Sequence, residues 1–361
     1  MAAPLLKDLI DITFIQRLGA ACQQLQPAFN VTEFESLVLN NSFGELELKA
    51  RIRRVANLLY QHLGLPFTEA CKILKPLSSQ FGGIQGFVFP DVIEQFGLDL
   101  PEISLPVLGY MTQFSTSEFA IRPFINRYPE LTLQQLALWA RSDNHHLRRL
   151  ASEGCRPRLP WGQALPQYKK DPRPLLPILE QLKQDPSDYV RRSVANHLND
   201  ISKDQPELML QLCQRWFGQH PDTDKIVKHA LRGLLKQRHP KALQLFGYQP
   251  VAVEAKLKLR TLRLAMGERL FFDLTIELPA ASSDKLRLEY AIDFASKTGK
   301  PRHKVFQWLE RTVDEPELTL QRSYLFKDLT TRKHYPGEHR LSIIINGQIV
   351  TSQNFILTDG I

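Results

Sequence analysis

Val190-Arg191-Arg192-Ser193-Val194-Ala195-Asn196-His197-Leu198-Asn199-Asp200 decides the fold, because Val190, Val194 and Leu198, continued by Ile201, recur at i, i+4, i+8 and i+11. That spacing is the period of a helix with one buried face. At an offset of 43, Leu147-Arg148-Arg149-Leu150-Ala151-Ser152-Glu153-Gly154-Cys155 repeats the pattern, with a stripe of Leu147, Leu150, Ala151, Gly154 and Cys155. Val227-Lys228 repeats Val190-Arg191 at an offset of 37. Such offsets are those of stacked two-helix repeats. The first helices of the pairs are expected at 129 to 142, 172 to 184 and 205 to 217, with Pro129, Pro172 or Pro174, and Pro206 near their starts. Proline suits the first helical position, where its missing N–H has no helical partner to lose. Helical spacing runs from about residue 30 to 245.

Near Tyr248 the period changes from helical to alternating. Glu254–Leu259, Leu270–Leu278 and Leu286–Ile292 alternate apolar with polar residues, as half-buried strands do. Further strands are expected at 303 to 312, 318 to 324, 338 to 346 and 349 to 357, with Asn346-Gly347 as the hairpin turn between the last two. Seven short strands predict a small antiparallel sandwich of immunoglobulin type. It contains no cysteine, so no disulfide joins its sheets. The linker is Phe246-Gly247-Tyr248-Gln249-Pro250, dividing the chain into a helical domain over 1–248 and a β-domain over 252–361. The expected fold class is therefore mainly α: an α-α superhelix of HEAT-like repeats followed by a small all-β immunoglobulin-like sandwich.

With 361 residues, 43% of them hydrophobic, the chain can bury a sizeable core. Its 46 Lys+Arg against 38 Asp+Glu leave a net charge of +8, which favours nucleic acid or another polyanion. A merely soluble basic protein shares that composition. From Arg141 to Lys203, twelve basic residues stand against seven acidic, so the excess is local. Cys22, Cys71, Cys155 and Cys213 are widely spaced and form no C-x-x-C pair, which fits reduced thiols and neither a disulfide framework nor a zinc site. Met1 to Asp8 lacks a long apolar run, and no apolar stretch approaches the ~20 residues that cross a bilayer. A cytoplasmic protein with no membrane partner is expected. Phosphate-binding loop, dinucleotide fingerprint, H-E-x-x-H and G-x-S-x-G patterns do not occur. No cofactor or metal is called for, and His145-His146 reads as an exposed helix start.

On an ideal helix Glu153 projects roughly 130° from the centre of its apolar stripe, and Asp200 roughly 115° from its own, to the same side. Neither is a core residue on that reckoning. In a stacked array the two acids would share one concave surface, joined there by arginines. Read singly, they are equally two solvated acids paired to nearby arginines. Ser115-Thr116-Ser117-Glu118 has the form of a capping box, with Ser115 as N-cap and Glu118 as its reciprocal partner. Trp161 follows Arg156-Pro157-Arg158-Leu159-Pro160, whose prolines preclude continued helix. A tryptophan on such a loop is either packed between repeats or offered to a ligand for stacking. Arg148, Arg149, Arg156, Arg158, Arg191 and Arg192 are candidate DNA contacts. The turn Ser296–Lys304, with Lys297, Lys300 and Arg302, is either a phosphate-contacting loop or a solvated hairpin connection.

Three segments, Ser115-Thr116-Ser117-Glu118-Phe119-Ala120-Ile121-Arg122-Pro123-Phe124, Leu147 to Trp161 and Val190 to Asp200, resemble the AlkC family of bacterial DNA alkylation-repair glycosylases. These are relatives of AlkD built from HEAT-like repeats. The resemblance runs nearly the full chain and includes the appended immunoglobulin-like domain. It implies that Glu118, Glu153, Trp161 and Asp200 form the catalytic set. It also implies hydrolysis of the N-glycosidic bond of alkylated bases, 3-methyladenine and 3-methylcytosine, in double-stranded DNA, without full base flipping. A monomer is expected. Neither Leu147–Trp161 nor Val190–Asp200 contains a lysine, which favours a monofunctional glycosylase over one that forms a Schiff base. The alternative from another class is a non-catalytic HEAT-repeat scaffold that binds DNA or protein.

Overall fold

Proline and leucine spacing set the helices of the first part of the chain. In the computed structural model, which describes residues 5–278, 284–328 and 333–359, α1 (Leu48–Leu63) packs on α2 (Val88–Phe96). Three helix pairs follow: α3 (Pro129–Trp139) with α4 (His145–Glu153), α5 (Leu176–Leu182) with α6 (Asp188–Ile201), and α7 (Pro206–Trp216) with α8 (Pro221–Ala230). Pro129 and Pro206 open their helices as expected. The middle first helix is shorter than the sequence suggests, because Pro172 caps and Pro174 lies within a 3-10 turn at Arg173–Leu175, and regular helix begins only at Leu176. The second helices lie side by side, α4 against α6 and α6 against α8. Val190, Val194, Leu198 and Ile201 are all buried, so the apolar stripe of α6 is its packing face. No helix among the described residues is long and apolar enough to cross a membrane. Met1–Pro4, the start of the segment read as lacking an apolar leader, lie outside the described residues.

After two short helices, α9 (Arg232–Lys236) and α10 (Pro240–Leu245), the chain forms strands β1 (Glu254–Leu259), β2 (Arg263–Ala265), β3 (Arg269–Glu277), β4 (Asp284–Phe294), β5 (Arg302–Val313), β6 (Glu317–Leu325), β7 (Gly337–Ile345) and β8 (Gln348–Thr358). They make two sheets, β1-β3-β6 and β2-β8-β7-β4-β5. Their facing sides bury Phe272, Tyr290, Ile292, Leu341 and Phe355 in one apolar core. All seven expected strands are present. The eighth, β2, escaped the periodicity because three residues are too few to show one. It pairs in parallel with β8, so the sandwich is not wholly antiparallel.

Asn346 and Gly347 form the tight β7–β8 turn at φ +47° and +85°. A side chain at Gly347 would also stand 2.5 Å from Leu243 of α10. The amide of Asn346 donates to the Gln249 carbonyl at 2.7 Å, and the Lys285 ammonium donates to the Phe246 carbonyl at 2.7 Å. Helix gives way to strand between Leu245 and Glu254. Cα packing nevertheless divides the chain earlier, into Met1–Ala230 and Leu231–Ile361, because α9, α10 and the linker are tied to the sandwich.

Candidate active site

On α6, Tyr189, Ser193, His197 and Asp200 each precede a member of the buried stripe by one residue, which gives the helix a polar flank beside its apolar face. On α4, His146, Arg149 and Glu153, with Arg156 just beyond, make the facing flank. The two flanks meet rung by rung. The rings of His146 and Tyr189 lie 6.0 Å apart, and the Arg149 guanidinium stands 5.2 Å from the Tyr189 ring. Ser193 Oγ donates to Glu153 Oε2 at 2.6 Å, His197 Nδ1 donates to the Ser152 carbonyl at 2.9 Å, and Arg156 Nε donates to Asp200 Oδ2 at 2.9 Å. Arg156 Nη1 also donates to Glu153 Oε1 at 2.6 Å, so one guanidinium bridges both acids.

Glu118 joins this cluster from another element. Arg149 Nη1 pairs with Glu118 Oε2, and Nη2 lies 3.6 Å from Glu153 Oε1. The Thr116 hydroxyl donates to Glu118 Oε2 at 2.8 Å and accepts from Arg149 at 3.0 Å. The expected capping box is not formed. Ser115 Oγ donates instead to the Gly83 carbonyl, the Glu118 N–H bonds to Thr116 Oγ1, and the next helix begins only at Arg122. With no helix to cap, the Glu118 carboxylate turns to Arg149. Lys203 Nζ, at 3.2 Å from Asp200 Oδ1, completes the set.

Glu153 and Asp200 are only 7% and 2% exposed, more buried than their positions off the apolar stripe suggested. The reason is the fold-back of Arg156, which covers both. Burial pulls the Arg156 guanidinium down, but Glu153 and Asp200 together hold it above its ordinary value. Desolvation raises the Tyr189 phenol, with Glu118 and Glu153 adding to the rise and Arg149 opposing it. The cluster thus sets three carboxylates against the buried Arg156 and the partly buried Arg149, with the half-exposed Lys203 at its edge.

The loop after α4 is held by Arg122, a fully buried residue that the sequence reading quoted but gave no role. Its guanidinium donates to the carbonyls of Gly154 and Arg156 at 2.9 Å each, and to Gln163 at 2.5 Å. Burial lowers it to about 10. Between those anchors Trp161 sits at φ +63°, a region costly for a bulky side chain, and is 59% exposed. Of the two readings open for Trp161, the structure favours an indole offered to solvent or ligand over one packed between repeats. Gly154 is required at the turn itself, since a Cβ there would meet Ile121 at 2.8 Å.

The candidate DNA contacts fall into two groups. Arg148 is chelated by Asp185 through Nε and Nη2 at 2.6 and 3.0 Å and also donates to two carbonyls. Arg191 is held by the Asp185 and Pro186 carbonyls. Together with Arg149 and Arg156, they brace the protein. Arg192, 71% exposed in its side chain, and Arg158, 39% exposed and paired with Asp204, are the open ones of the six. Lys297, Lys300 and Arg302 are exposed on the β4–β5 turn, which Ser296 Oγ closes on the Lys300 carbonyl at 2.6 Å. His145 is exposed at the start of α4, as expected. Among the described residues no group of three or more His, Cys, Asp or Glu could hold a metal, and all four cysteines are buried and unpaired.

Tyr189, Ser193, Thr116 and Arg122 complete the site and were not singled out from sequence. The first two carried a signal, since residues one before each apolar position of α6 form a second, polar period.

A family model described as DNA alkylation repair enzyme matches residues 109–237. One described as the C-terminal Ig-like domain of the uncharacterised protein YhaZ matches residues 253–359. The chain is 45% identical over 353 residues to the uncharacterized protein YhaZ of Bacillus subtilis (strain 168), covering 97% of this chain and 98% of that one. It is 36% identical to the alkylpurine DNA glycosylase AlkC of Pseudomonas fluorescens, solved bound to DNA containing an abasic site analog. The TM-score is 0.93, over 98% of this chain and 100% of that one.

Proposed function

This chain belongs to the AlkC family of DNA alkylation repair enzymes, and from that premise we propose that its acid cluster hydrolyses the N-glycosidic bond of alkylated bases in double-stranded DNA. One observation carries the reading: Glu118, Glu153 and Asp200, from three separate segments, converge on two shared guanidiniums, and the loop that leaves Arg156 presents the exposed Trp161. An N-alkylated base such as 3-methyladenine or 3-methylcytosine is cationic and leaves readily. The enzyme needs chiefly to stabilise the positive charge that grows on the deoxyribose and to place a water.

Both oxygens of Glu153 are engaged, by Ser193 and Arg156, and both of Asp200, by Arg156 and Lys203. These two are fixed counter-charges for the sugar cation. Glu118 keeps Oε1 without a hydrogen bond among the described residues and is the water-holding base. The C1′–N bond breaks with its electron pair returning to the base, which leaves neutral. The water oxygen bonds to C1′, and its proton passes to Glu118 and then to solvent. Trp161 packs on the lesion or its sugar, which the groove can reach without full flipping of the base into a pocket. Arg192, Arg158 and the turn carrying Lys297, Lys300 and Arg302 contact phosphates.

The test is release of 3-methyladenine from alkylated duplex DNA. Loss of release in Asp200→Asn with duplex binding retained supports the enzyme, and a wild type that binds DNA but releases nothing makes the chain a scaffold. Duplexes bearing single 3-methyladenine or 3-methylcytosine lesions set its range. Borohydride treatment during turnover should trap no protein–DNA adduct, since water rather than an amine is the nucleophile.

A further inference from the structure

Beside Glu118 lies a cavity of about 430 Å³, bounded by α1, α2, the Thr116–Pro123 segment and the loop Trp161–Gln163. Thr116, whose hydroxyl bonds Glu118 and Arg149, also lines the cavity, so acid cluster and cavity share a wall. The volume falls in the range that holds small ligands. Three rings line it, from Phe87, Phe119 and Trp161. Lys49 hydrogen-bonds the Trp161 carbonyl and stands 5.1 Å from the Phe119 ring centroid. Across from it Arg53 bonds Asp91 at 2.9 Å and Glu94 at 2.8 Å. Two cations thus face two acids, and apart from Thr116 and Gln163 the rest of the lining is aromatic or apolar.

The walls separate this cavity from the acid cluster, aromatic rings in one and three carboxylates in the other. A cationic alkylated base is drawn to the carboxylates of the cluster. Once the electron pair returns to its ring, the base is neutral and those carboxylates no longer hold it. A cavity walled by aromatic faces suits the neutral planar ring better. We propose that the cavity is a product site, taking up the excised methylated nucleobase after cleavage. Asp91 fits that role, since burial, assisted by Glu94 and opposed by Arg53, raises its carboxyl to about 7. At neutral pH it can therefore donate as well as accept on a heterocycle edge.

The proposal rests on the glycosylase reading, and calorimetry with free 3-methyladenine tests it separately. The full-length wild type is expected to bind the free base saturably, one to one, and within about threefold as tightly when saturated with abasic-site duplex. Ala50→Trp, which fills the cavity from an exposed position on α1, should weaken that binding by about tenfold or more, whereas Ala50→Ser should leave it unchanged. A preparation that releases base from alkylated DNA yet binds no free base overturns the product site and leaves the enzyme standing. Exclusion of the free base by the duplex places it in the catalytic groove and overturns the separate site too. That competition holds even if Ala50→Trp does not fold.

Discussion

Arg156 in the helical unit and Arg287 in the sandwich make the same bond pattern to different ends. Each is a nearly buried guanidinium bridging two carboxylates, Glu153 and Asp200 in one case, Glu289 and Glu310 in the other. The Arg287 network is sealed. Arg287 Nε and Glu289 Oε2 have no hydrogen-bond partner among the described residues, and burial raises the Glu289 carboxyl despite the neighbouring guanidinium. The Arg156 network is extended by a third acid, is bordered by an exposed tryptophan and opens beside a cavity. Buried charge alone is therefore not the mark of a site. A carboxylate cluster with an open side is.

The largest effect that probes this distinction is expected from Arg287→Ala. It removes the cation that Glu289 and Glu310 share, which should cost about 3–5 kcal/mol of stability in a urea melt. Base release per folded molecule should be unaffected. Asp200→Asn should do the reverse, lowering the single-turnover rate of base release by roughly 10²–10³-fold, the scale of one lost charge-stabilising group. A mild stability change is expected with it. If Arg287→Ala abolishes release while folded, the two networks are not functionally distinct.

The sequence made the α6 flank legible because helical periodicity fixes which residues lie beside the stripe, and Asp200 and Glu153 follow from it. It could not show their burial, which depends on Arg156 folding back across 44 residues to Asp200. From spacing alone Glu118 read as a capping partner, a pattern that does not form, because its carboxylate pairs instead with Arg149 on α4. Seven strands, β1 and β3 to β8, were readable from the sequence, and the three-residue β2 was not. The arginines misled most: their number announced a polyanion, but spacing cannot tell a guanidinium chelated by Asp185 from one left in solvent.

A third, intermediate effect concerns His197, buried between the two flanks. Burial lowers its imidazole from 6.5 to about 3, so the folded protein keeps it neutral. The unfolded chain takes up a proton below about pH 6.5, so stability is full above that pH and declines as pH falls toward 3. The decline is ~1.4 kcal/mol per unit from this group. His197→Gln should therefore lose about 2 kcal/mol less than wild type between pH 7 and 5 in urea melts. Parallel declines would show that the imidazole is protonated in the folded state.

The smallest effect separates open arginines from bracing ones. Arg192 is 71% exposed in its side chain and pairs with Asp188, itself exposed, at 3.0 Å. Its change to Ala should lower the log-log salt slope of duplex binding by roughly 0.9 and weaken binding alike on damaged and undamaged DNA, as loss of one phosphate contact does. Arg148 should behave oppositely. Its guanidinium is committed to Asp185 and two carbonyls, so Arg148→Ala should leave the slope unchanged and lower stability instead, by leaving the buried Asp185 without its cation. A shallower slope for Arg148→Ala beside an unchanged one for Arg192→Ala would invert the assignment. The basic surface that meets DNA would then have to form by release of internal ion pairs rather than from the arginines already in solvent.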